Sequence, residues 1–197
     1  MEKLRLPLGL LIAAWLLAAY APGIGTGFIK DDFGWIQQSS VSSLSEAVSL
    51  FSQNTGFYRP VVAMSFALDR AVFGLAPLGY GWTNGLLVLL VGIAIARLGR
   101  ALGLTPTAGT VAAGLWMLNP HGINMALLWT SGRTALLLTL FAVLAATALV
   151  RHRYLQLAAC VLLAMLSKEE AVVLPVILLA WSALLAKGDE AGSGARI

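Results

Sequence analysis

Apolar residues in this chain come in long runs instead of the alternation expected of strands. Residues 5–22, 78–96, 102–118, 134–150, 154–166 and 171–186 contain no acidic residue and no lysine. A segment isolated in lipid must satisfy its own backbone N–H and C=O groups, so runs of this kind predict membrane-crossing helices. They also lack the two-residue period of barrel strands. The predicted fold class is therefore all-α: a polytopic membrane protein of about six transmembrane helices spread over residues 1–187, with a long first outer loop at 23–77.

That loop predicts structure of its own. Ser43-Leu44-Ser45-Glu46 reads as a capping box opening a short helix, and Leu44, Ala47, Val48 and Phe51 share the face it would lay on the membrane interface. After Pro60, the apolar stretch 61–75 is interrupted by Asp69 and Arg70. Each charge costs about 2.5 to 3.5 kcal/mol at a bilayer centre. The stretch is therefore predicted to be a juxtamembrane helix, ended by Gly74 and Pro77. The run from Tyr154 to Leu166 is short, about 20 Å of helix against a hydrocarbon core of about 30 Å. The turn at Lys168 is accordingly expected below the outer surface, in a cavity between helices. Pro175 predicts a kink in the last helix, and the small, polar segment 188–197 predicts a disordered tail.

Composition agrees with the pattern. The 197 residues are 59% hydrophobic and 11% charged, with a mean hydropathy of +0.85, too little polar surface to cover a soluble core of this size. The net charge of +4 does not indicate a nucleic-acid partner, because topology accounts for the basic residues. Lys3 and Arg5, Arg97 and Arg100, Arg151 and Arg153, and Lys187 and Arg196 fall at every second connection. This is the positive-inside pattern of a multi-pass protein of the cell inner (plasma) membrane with its N-terminus in the cytoplasm. Pro22 follows the signal-like Ala19-Tyr20-Ala21 directly, which predicts an uncleaved signal anchor. The single Cys160 excludes an intrachain disulfide and a cysteine metal site.

With this topology, five polar clusters share the outer face: Asp31-Asp32, Tyr58-Arg59-Pro60, His121, Ser131-Gly132-Arg133 and Ser167-Lys168-Glu169-Glu170. Asp31 and Asp32 offer a general base or ligands for a divalent cation, or are a solvated acid pair. Arg59 at a helix start suits a phosphate gripped through two parallel hydrogen bonds, or a lipid headgroup. His121 after Asn119-Pro120 reads as a structural residue at a helix start or as a site residue. Arg133 stands on the outer side against the charge bias, so it needs a partner, either an acid or a lipid phosphate. Ser167 and Glu170 form a second capping box, which leaves Lys168 and Glu169 without a capping role. Asn84 predicts an interhelical hydrogen bond, and Trp129 an interface or sugar-lining ring. A transporter is disfavoured, since the charges gather at one face instead of at mid-membrane.

In their order along the chain, Asp31-Asp32, Tyr58-Arg59-Pro60 with 61–80, Asn84, Trp129-Thr130-Ser131-Gly132-Arg133 and Leu166-Ser167-Lys168-Glu169 resemble the GT-C class of membrane glycosyltransferases. The likeness is greatest to the protein O-mannosyltransferase-related group, which includes the tetratricopeptide-bearing transmembrane transferases and their bacterial relatives. The resemblance implies transfer of a hexose from a polyprenyl-phosphate carrier to a protein, lipid or glycan acceptor at the outer face. It maps the family's loop aspartate onto Asp31 or Asp32, and its carrier-phosphate cations onto Arg59, Arg133 and Lys168, with His121 and Glu169 beside them. Relatives commonly carry a His-Pro pair followed by an acid where this chain has Asn119-Pro120-His121 and Asn124-Met125. The class also has about twice as many spans, so the chain corresponds to an N-terminal module. The alternative reading is a noncatalytic polyprenyl-phosphate-binding or assembly subunit that needs a second chain to complete the fold.

Overall fold

The computed structural model of the chain describes residues 5–52, 56–119 and 127–194. Among these the chain is helical, with no strand. The helices are α1 (Arg5–Tyr20), α2 (Asp32–Gln38), α3 (Leu44–Ser49), α4 (Pro60–Phe73), α5 (Pro77–Ala101), α6 (Pro106–Met117), α7 (Arg133–Val150), α8 (Tyr154–Met165) and α9 (Leu174–Gly194). Short 3-10 turns at Ala21–Gly23, Thr130–Gly132 and Glu169–Val173 lead out of α1 and into α7 and α9. Pro60, Pro77 and Pro106 open α4, α5 and α6, where a missing N–H costs nothing because the first-turn donors have no intrahelical partner.

Each of the six apolar runs folds as a helix, but they differ in reach. Pro77–Ala101 and Thr130–Val150 are long and apolar enough to cross a membrane. The 12 residues of α6 and of α8 make only about 18 Å of helix. α5 is the central element, packing against both α6 and α7; α8 lies on α7, α1 on α6, and α4 touches α2, α5 and α7. At the α5–α6 crossing a β-carbon on Gly99 would sit 3.3 Å from the Gly109 Cα. Side chains there would push the helices apart, which is why small residues line the contact.

Buried apolar residues fall into three groups. Trp35, Ile36, Leu50, Val62, Phe66, Tyr80 and Leu137 bind the loop helices to the heads of α5 and α7. Leu16, Tyr20, Val88, Met117 and Leu136 join α1, α5, α6 and α7. Ala145, Ala146, Ala164, Ala171 and Leu178 let α7, α8 and α9 approach closely.

The predicted interface helix is present as α3. Ser43 Oγ accepts from Glu46 N at 3.2 Å, while the Glu46 carboxylate accepts from Ser42 N at 2.7 Å instead of from Ser43. Leu44 is 82% exposed, with Val48 and Phe51 also exposed, the free apolar face the sequence called for. Two other expectations are corrected. Ser167 donates its hydroxyl to Leu163 O, and the residue before the following turn is Lys168, without a side-chain cap, so the second capping box does not form. Pro175 lies in the first turn of α9, where proline is accommodated without a kink. α9 runs to Gly194.

The two helical hairpins turn on the same device. Gly103 after α5 is left-handed (φ 80), with Leu104 N donating to Gly99 O at 2.9 Å and Gly103 N to Arg100 O. After α7 the same bonds run from Arg153 N to Ala148 O and from His152 N to Leu149 O, but the left-handed residue is His152 (φ 53). A side chain with a β-carbon is strained in this conformation by about 1 to 2 kcal/mol. The exposed His152 ring meets Tyr154, through a 3.4 Å contact with its hydroxyl and an edge-on contact between the rings. His152→Gly is therefore expected to stabilise the protein by about 1 kcal/mol, read as a higher midpoint in thermal unfolding in detergent.

Candidate functional site

Four of the five polar clusters meet at one end of the helical bundle; His121 lies outside the described residues. The centre of the assembly is Arg133, the first residue of α7, whose side chain is fully buried. Its Nε donates to Asn84 Oδ1 at 2.8 Å, and its Nη2 to Asp69 Oδ2 at 2.5 Å and to Tyr80 O at 3.0 Å. Nη1 reaches Ser65 O at 3.2 Å. The guanidinium lies 4.5 Å over the Phe66 ring. Asn84 in turn donates to Thr130 O at 3.1 Å, and Thr83 Oγ1 donates to the other Asp69 oxygen at 2.7 Å. The partner that Arg133 needed is an acid within the chain. Its donors are spent on protein acceptors, which leaves none for an incoming phosphate.

Asp69 is the residue whose importance the sequence understated. The signal was present, as one charge inside an apolar run and another, Arg133, on the wrong side of the charge bias. Its neighbour Arg70 donates to Ile36 O at 3.3 Å, so the pair that interrupts the 61–75 stretch divides its work between α7 and α2.

The adjacent carboxylates of the first loop are separated by burial. Lys30, left-handed at φ 49, turns the chain into α2. Asp32 points inward with no exposed surface: Oδ1 accepts from the Ser131 backbone N–H at 2.7 Å and from the Ser131 hydroxyl, and Oδ2 accepts from Ile29 N at 2.9 Å. Asp31 is exposed and makes no capping hydrogen bond to α2. The two acids thus do not present a pair of ligands to one ion. Among the described residues no three His, Cys, Asp or Glu side chains gather where they could hold a metal.

Arg59 precedes α4 and crosses to the turn between α8 and α9. Its Nε and Nη2 grip Glu169 Oε2 and Oε1 at 2.7 and 2.5 Å, and its guanidinium stacks 4.5 Å over Phe57. Val61 N donates to Leu166 O at 3.2 Å, a second tie between the same segments. Lys168 pairs with Glu170 at 2.9 Å. Asp31, Gly34, Trp35, Gln38, Phe57 and Arg59 surround a cavity of about 240 Å³. Its one carboxylate and one guanidinium come from clusters far apart in sequence. Trp35, Gln38 and Phe57 carried no sequence signal for the site. Trp129, just before the Thr130–Gly132 turn, has a buried Nε1 with no partner among the described residues.

Compared with protein-family models, curated proteins and solved structures, the chain matches none.

Two outcomes follow from these geometries. Asp69→Ala leaves the Arg133 charge buried and unpaired, and is expected to cost about 3 to 5 kcal/mol in unfolding experiments. The double change Asp69→Leu with Arg133→Met should cost markedly less, because neither charge is stranded. Separately, the hydrogen bond from Arg59 holds the Glu169 carboxyl down at about 2. Its stabilising contribution is therefore complete above the ordinary carboxylate pKa near 4.5 and is lost as pH falls from there toward 2. Carboxyl NMR should follow Glu169 titrating near 2 in the parent and returning toward the ordinary value in Arg59→Gln.

Proposed function

We propose that this chain is the N-terminal module of a glycosyltransferase of the inner (plasma) membrane. In this reading it crosses the membrane about six times from a cytoplasmic N-terminus, and it moves a sugar from a polyprenyl-phosphate carrier to an acceptor at the outer face. The observation that carries the reading is that the uncapped carboxylate of Asp31 and the pinned guanidinium of Arg59 line one cavity. In an inverting displacement an acceptor hydroxyl attacks the anomeric carbon, its proton passes to Asp31, and the bond from that carbon to the polyprenyl phosphate oxygen breaks. Arg59 faces the charge that grows on the leaving phosphate, with Lys168 as the neighbouring cation. The membrane part of the reading is supported by the large apolar side chains exposed on α1, α8 and α9, including Trp15, Leu155, Leu162 and Leu179. Arg97, Arg100, Arg151 and Arg153 at the opposite ends of α5 and α7 agree with it.

Burial divides the two aspartates between chemistry and architecture. Asp31→Asn is expected to lower sugar transfer by about 100-fold to 10,000-fold, the range of general base catalysis, while folding and carrier binding persist. Asp32→Asn should instead lower stability, because an amide cannot accept all three of the hydrogen bonds that the carboxylate accepts. The assay uses the chain joined to whatever completes it, with a polyprenyl-phosphate sugar as donor. Transfer by Asp31→Asn near the parent rate would remove the enzyme reading. Carrier binding that depends on Arg59, with no transfer by any assembly, would mark a noncatalytic polyprenyl-phosphate-binding subunit.

A further inference from the structure

Resting on the phosphate-binding reading of Arg59, we infer that Glu169 is an internal stand-in for the ligand phosphate: its carboxylate occupies the Nε–Nη2 fork of Arg59 and must leave before a phosphate monoester can take that fork. A carboxylate and a phosphate present the same two-oxygen edge to a guanidinium. Glu169 takes that edge fully, one oxygen on Nε and the other on Nη2. A ligand phosphate in the cavity that Arg59 lines therefore meets a cation whose Nε–Nη2 edge is already engaged.

Which partner moves is decided by exposure. The Arg59 side chain is 11% exposed and that of Glu169 56%. Arg59 is held from behind by the Phe57 ring, and its backbone precedes a proline that opens α4. Glu169 stands at the start of a 3-10 turn and already meets solvent, so its own charge is not stranded when it leaves. The turn does not come away with it, because Val61 N still holds Leu166 O. Lys168, next to Glu169 and engaged with Glu170 at 2.9 Å, is near enough in the chain to receive the displaced carboxylate. The exchange trades one charge-assisted pair for another, so the Arg59 cation stays paired with either partner and the carrier competes with Glu169 for it.

This inverts the sign expected if Glu169 were part of the phosphate site. Binding of a polyprenyl monophosphate to the detergent-solubilised full chain would be measured for the parent, Glu169→Gln, Glu169→Ala and Arg59→Gln, with phosphatidic acid as a second ligand. Both Glu169 variants are expected to bind the polyprenyl monophosphate about 3- to 10-fold more tightly than the parent. Arg59→Gln should bind at least about 10-fold more weakly, and adding Glu169→Gln to it should restore nothing. The same gain with phosphatidic acid would support the stand-in and assign its competitor to membrane lipid. If Arg59→Gln weakens binding but neither Glu169 variant strengthens it, the stand-in is overturned while Arg59 keeps its role. If Arg59→Gln binds as the parent does, or no variant binds phosphate, the phosphate-binding reading and the stand-in fall together.

Discussion

A guanidinium with no exposed surface sits at the head of α7, and the arrangement of that end of the bundle follows from the need to satisfy it. Arg133 can be buried only if α4 supplies Asp69 and Ser65 and α5 supplies Asn84 and the Tyr80 carbonyl. Those demands fix where the heads of three helices lie relative to one another. A buried ion pair is not by itself a large source of stability, because desolvation offsets much of its attraction. Its effect here is selective. Shifting α4 by one turn would leave a charge unpaired inside the protein, so alternative packings of these apolar helices are excluded more strongly than the chosen one is favoured.

The consequence spreads along the chain by adjacency. The residues just before Arg133 form the 3-10 turn Thr130–Gly132, whose Thr130 carbonyl accepts from Asn84 and whose Ser131 binds Asp32. The first loop is thereby tied to α7, and α2 comes to rest on α4. Once α2 is placed, Asp31 must face outward, since its neighbour's two oxygens are committed inward. The candidate catalytic acid is exposed as a result of where the structural acid is held.

Helical class and the positions of all six apolar runs were legible in the sequence because they depend on local composition, with proline starts and turn glycines marking the ends. Membrane reach was less legible. Composition made the shortness of α8 legible in residues 154–166, whereas α6 opens only at Pro106, inside its apolar run. Of the site, Arg133's need for a partner could be read from charge bias, but its identity could not, since Asp69 lies far away in sequence. Asp31 and Asp32 are equivalent in sequence and become different only through the left-handed Lys30 and the Ser131 donors. The capping box at Ser167–Glu170 failed for a related reason. A cap gains about 1 kcal/mol, and here Glu169 is drawn to Arg59 and Glu170 to Lys168, charged partners that a pattern of local spacing does not reveal.

Two arginine–carboxylate pairs therefore stand at the same end with opposite characters, and burial is what distinguishes them. Arg133 and Asp69 are both buried, so exchanging partners would leave a charge unpaired in a low-dielectric interior. Arg59 and Glu169 share a bidentate geometry, but one partner is half in solvent, where water can replace what is lost. A site that binds a charged ligand needs a cation of the second kind, fixed in place yet paired with something that can leave. Had Arg59 been as buried as Arg133 it could not exchange partners. As exposed as Glu169, it would lose much of its grip to solvent screening.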